Sequence, residues 1–191
     1  MSLSPLVWQN ALLTFIISIL LGATLSFIVI LPFAFSLLFL LAMVGVGIVF
    51  DAIGVAVAAA DEKPLHAMGA DKIAGSGQAI WLVRRTERVA NVCNDVVGDV
   101  SGTVSGAITV SLAAALAVRF RMDGSLLSVL SIAVVAALTV GGKAFGKVYA
   151  LRSPHVVVLA VGRGLSWLGW PGLGQRRRAV RRKERRDQGR R

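Results

Sequence analysis

Asn91, Asp95, Asp99 and Thr103 lie four residues apart, so on an α-helix their oxygen-bearing side chains share one stripe. Gly98, Gly102 and Gly106 repeat at the same interval and form a neighbouring groove suited to close helix approach. A third acid, Asp51, interrupts an otherwise apolar stretch. Asp51, Asn94, Asp95, Asp99, Ser101 and Thr103, with backbone carbonyls, make an oxygen-only donor set of the kind that suits a hard cation such as magnesium. Carboxylates buried between helices need protons, a bound cation or a basic side chain. The second reading is that Asp95 faces water at the interface and only Asp99 is inside.

Lys143 and Lys147, in "GGKAFGK", are one helical turn apart and follow an apolar run. Two readings stand for Lys143. It is a tethered cation for Asp95 or Asp99, in the place a metal would otherwise take, or it snorkels to the headgroups. Lys147 is expected to snorkel.

The elements that must position these groups follow from composition. The chain has 191 residues, 55% hydrophobic and 16% charged, with a mean hydropathy of +0.73. The first 50 residues contain no Lys, Arg, Asp or Glu. Apolar stretches this long exceed the ~20 residues a helix needs to span the hydrocarbon. We expect an all-α, polytopic transmembrane bundle with about four spans, near 11–31, 34–59, 92–118 and 124–142, and short cytoplasmic and juxtamembrane interfacial helices. No basic n-region or clear cleavage site marks a removed signal peptide. Cys93, the single cysteine, excludes an intramolecular disulfide and reads as a packing residue.

Basic residues near the span ends place the N-terminus, the 60–90 stretch and the C-terminal tail on the cytoplasmic side of the cell (inner) membrane. Pro64, Gly69, Gly75 and Gly77 break the 60–90 stretch into short helices, with Trp81 at headgroup level. In "SPHVVVLAVGRGLSWLGWPGLG", Ser153 is an expected N-cap before Pro154, and Trp167 and Trp170 are expected interface anchors. Whether this segment spans or lies in the interface stays open, with the charge rule favouring the interface. Of the net charge of +11, +8 sits in residues 175–191. Arg176, Arg177, Arg178, Arg181 and Arg182 suit anionic lipid headgroups. Nucleic acid is disfavoured, because the tail has no aromatic residue to stack on bases.

Four stretches, in this order, resemble the transmembrane domain of the CorB/CorC and CNNM family of magnesium and cobalt transporters. They are "FDAIGVAVAAADE", "GSGQAIWLVRRTERVANV", "VVGDVSGTVSGAI" and "GGKAFGKVYALRSPHVVVLAVGRGLSWLGWPG". The likeness divides the chain into an extra N-terminal helix at 1–33, a family-like domain at 34–173 and a basic tail at 174–191. It implies a homodimer and an ion pocket. The departures are Lys143 where the family's Gly-Glu-x-x-Pro-Lys motif carries its acid, Gly146 for its proline, and Asp99 for the asparagine of the Gly-Asn pair; Lys147 matches the motif's lysine. The swap implies a pocket closed on an internal Asp–Lys pair. The likeness stops short of the family's CBS-pair domains, so a separate regulatory partner is expected.

No enzyme is expected. His66 and His155 lack a second ligand at metal spacing, no strand precedes a phosphate loop, and the serines have no elbow or base. Two functions remain: a divalent-cation transporter of this type, intact or degenerate with Lys143 in the metal-site position, or a non-transporting scaffold that binds lipid through its arginine tail.

Overall fold

The computed structural model describes residues 5–28 and 32–170, and every regular element in them is helical. The elements are α1 (Pro5–Ile28), α2 (Phe33–Ala59), α3 (Glu62–Ala70), α4 (Ser76–Val83), α5 (Thr86–Asn91), a π-helical turn (Val92–Val97), α6 (Gly98–Phe120), α7 (Gly124–Arg152) and α8 (Pro154–Trp167). Three helical rods are long and apolar enough to cross a membrane: Phe33–Ala59, Thr86–Phe120 and Gly124–Arg152. The residues 174–191 lie outside the described part of the chain, as do Arg176, Arg177, Arg178, Arg181 and Arg182.

The chain alternates direction because its connections are short. Arg121 takes a left-handed conformation (φ 52°) to end α6, and the Asp123 carboxylate accepts from the N–H groups of Ser125 (2.8 Å) and Leu126 (3.3 Å) to start α7. Two cores result. Leu40, Val44, Val100, Val104 and Ile108 join α2 to α6 between the spans, with Ile17 of α1 against them. A second core, including Val57, Leu65, Ile80, Ala150 and Val158, gathers the ends of α2 and α7 under α3, α4 and α8. α4 and α8 touch backbone to backbone: Gly75 (φ 87°) lies against Gly162 and Arg163, where no side chain fits.

Two details differ from the sequence expectation, and a third bears on α8, for which the sequence leaves spanning or interfacial open. α7 continues to Arg152, so Lys143 and Lys147 lie within the helix rather than beyond it. Ser153 does precede α8, with Pro154 at its first turn, but its side chain makes no capping bond. At 14 residues, α8 is about 21 Å long, short of the ~30 Å hydrocarbon.

Candidate functional site

The buried stripe of α2 runs through Ser36, Leu40, Val44, Gly47, Asp51 and Gly54, at helical spacing. Asp51 is only 6% exposed. The glycines on either side of it are notches. A Cβ at Gly47 would lie 2.6 Å from Ser101 Oγ, and one at Gly54 would fall on Asn94 Oδ1. Without those Cβ atoms, one polar side chain of the facing rod seats on α2 on each side of Asp51. Ser101 is satisfied there, since its hydroxyl donates to Gly98 O at 3.0 Å. Asn94 Oδ1 is buried and accepts no hydrogen bond.

Asn94 reaches α2 from the π turn. The Gly98 N–H bonds to Cys93 O, five residues back, so one extra residue enters the turn. π turns of this kind are frequent at functional sites.

The cation beside Asp51 is Lys147. Its ammonium lies 3.3 Å from Asp51 Oδ2, an ion-pair contact whose angles fall outside hydrogen bonding, so the oxygen is neutralised without being a hydrogen-bond acceptor. Lys147 stays 47% exposed along its side chain, with its head on Asp51. Gly142 and Gly146 make this possible: α7 rests on Ile48 and Ala52 of α2 at these positions, close enough for Lys147 to reach across. Asp51 lies about 27 Å along α2 from Phe33, and Lys143 about 29 Å along α7 from Gly124. Both distances reach the far edge of a ~30 Å hydrocarbon layer.

The proposed oxygen set therefore divides. Asp51, Asn94 and Ser101 share the α2–α6 seam, whereas Asp95, Asp99 and Thr103 are exposed on the opposite face. Thr103 spends its hydroxyl on Asp99 O (3.0 Å), and Cβ atoms at Gly102 and Gly106 would meet nothing within 4 Å. Lys143 does not pair with Asp95 or Asp99: among the described residues no carboxylate lies within 4 Å of its ammonium, which sits over Gly98 instead. The groove expected at Gly98, Gly102 and Gly106 receives no neighbouring helix at its last two positions among the described residues; on α2 and α7, Gly47, Gly54, Gly142 and Gly146 admit side chains of the facing helices instead. Lys147, expected only to snorkel, is the residue that engages an acid. No three His, Cys, Asp or Glu side chains converge as a metal site among the described residues.

The aromatic anchors also differ in kind. Trp167 is 91% exposed on α8. Trp81 and Trp170 instead pack edge to face, with centroids 5.9 Å apart, and Gln78 Nε2 donates to Trp170 O at 3.0 Å. On the same side of the molecule, Arg84 Nε donates to Glu62 Oε2 (3.0 Å), which also faces His66 Nε2 (3.2 Å). That hydrogen bond from Arg84 holds the Glu62 carboxyl below its ordinary value.

Compared with family models, with curated proteins and with solved structures, the chain matches none. What the geometry defines is a class: a helical protein with candidate membrane-spanning helices and, between two of them, a buried aspartate paired with a half-exposed lysine.

Proposed function

We propose that the protein is a multi-pass membrane protein of the cytoplasmic membrane whose helix bundle, α1 being a fourth span, carries a divalent-cation site closed by its own lysine. The buried Asp51 carboxylate with the Lys147 ammonium at 3.3 Å carries this reading. An ammonium there does electrostatically what a bound magnesium or cobalt ion would do as cargo, and Asn94 Oδ1 is a spare oxygen on the same seam. The resemblance to CorB/CorC-type transporters supports the same assignment, with the ammonium coming from the motif's lysine rather than from Lys143. Positive-inside charge puts this site at the cytoplasmic edge of the bilayer.

The experiment is the melting temperature of the purified chain with and without magnesium, in wild type and in Lys147→Met. A closed site gives no shift in wild type and a magnesium-dependent rise in the variant, abolished by adding Asp51→Asn. A rise in wild type itself means that the ion displaces the lysine and the site is open. No response in any chain refutes the cation reading and leaves a non-transporting scaffold.

A further inference from the structure

We propose that the cleft at the turn between α4 and α5 binds the phosphate of an anionic lipid headgroup. The cleft has a volume of about 510 Å³ and is lined by Val83, Arg84, Arg85, Thr86, Glu87 and Arg88. Its three guanidinium groups are in different states. Arg84 is held by Glu62, with its terminal nitrogen 3.4 Å from His66 Nε2. Arg85 lies over the Trp81 ring, 4.8 Å from its centroid. A guanidinium over a ring still has N–H donors to offer an acceptor, and Arg85 is exposed. Arg88 is exposed, and among the described residues neither Arg85 nor Arg88 donates a side-chain hydrogen bond or joins an ion pair. Glu87, on the same lining, and Glu62, on Arg84, oppose the three arginines, leaving one positive charge in surplus. Two free guanidinium forks beside one cleft match the paired oxygens of a phosphate.

The lipid assignment follows from where the cleft stands. The rod Thr86–Phe120 is about 52 Å long, well beyond the ~30 Å of hydrocarbon, so its first turns leave the apolar layer. The Trp81–Trp170 pair beside the cleft has the amphipathic character of headgroup-level aromatics. Basic pockets at this depth hold anionic headgroups. Neither Asp51 nor Lys147 is in the lining of the cleft.

The test is native mass spectrometry of the full chain in neutral detergent, with phosphatidylglycerol or phosphatidylcholine added. Wild type should retain phosphatidylglycerol about tenfold over phosphatidylcholine. Arg88→Gln should lower retention about fivefold and Arg85→Gln with Arg88→Gln about tenfold or more. Arg88 has no side-chain partner to lose among the described residues, so its variant should melt with wild type and keep the result interpretable if the double variant folds poorly. Changing Arg176, Arg177, Arg178, Arg181 and Arg182 to Gln together should leave the first bound lipid in place. Equal retention in wild type and both cleft variants overturns the proposal, as does loss confined to the tail variant. Inorganic phosphate that displaces the lipid completely overturns the headgroup assignment in favour of a free phosphate.

Discussion

Removing the Lys147 charge while keeping its apolar stem should destabilise the protein by an amount the structure bounds. Lys147→Met leaves Asp51, 6% exposed, with no cation within 4 Å among the described residues. Breaking a fully buried pair from one side costs about 3–5 kcal/mol. The Lys147 side chain is 47% exposed, so solvent and headgroups screen the pair, and we expect about 1–2 kcal/mol. In a chain of this size that is a fall of roughly 2–8 °C in melting temperature. Asp51→Asn should cost less, since the freed lysine swings to the headgroups and Asn carries no charge. The double variant, Asp51→Asn with Lys147→Met, should then be more stable than Lys147→Met alone, which is the signature of coupling. Thermal melts of the four proteins in one detergent close the cycle. Single effects that add to within about 0.5 kcal/mol would refute the claim that this lysine neutralises this acid.

The notch at Gly54 gives a second test. Gly54→Ala puts a Cβ onto Asn94 Oδ1 and should cost about 1–3 kcal/mol, most of it recovered when Asn94→Ala is added to the same chain. Wild-type melting in Gly54→Ala would mean that Asn94 does not sit there. The Glu62–Arg84 contact predicts a pH dependence. Arg84 lowers the folded pKa of Glu62, so the contact contributes in full above the ordinary carboxylate value of 4.5 and is lost as pH falls through the lower folded value. The melting difference between wild type and Glu62→Gln should therefore hold from neutral pH down to that range and then close. A gap that widened in acid would contradict the assignment.

The apolar spans were legible because a bilayer imposes a length and a composition, and both can be counted along a chain. Pro32 and the charge-free stretch after it announce α2, and "RFRMDG" announces the reversal between α6 and α7. The breaks at Pro64 and Gly75 foretold short helices in the 60–90 stretch, although Pro64 itself lies within the first turn of α3. The stripe of Asn91, Asp95, Asp99 and Thr103 was visible as a stripe, but which way it faces was not. Its exposed acids are on one side of the rod, and Asn94, from the π turn, is on the other. The continuation of α7 through two glycines into "KAFGKVYALR" was also unreadable locally, because packing on Ile48 and Ala52 supports a helix that glycine alone disfavours.

Sequence by itself determined that this chain is helical, that it carries segments long and apolar enough to cross a membrane, and that acids and lysines stand near one end of them. Only the tertiary structure decided that Asp51, rather than Asp95 or Asp99, is the acid sealed inside, and that Lys147, rather than Lys143, meets it. Periodicity tells which residues share a face of one helix. Which face touches which neighbour depends on where glycines let two backbones approach, and that is a property of the pair.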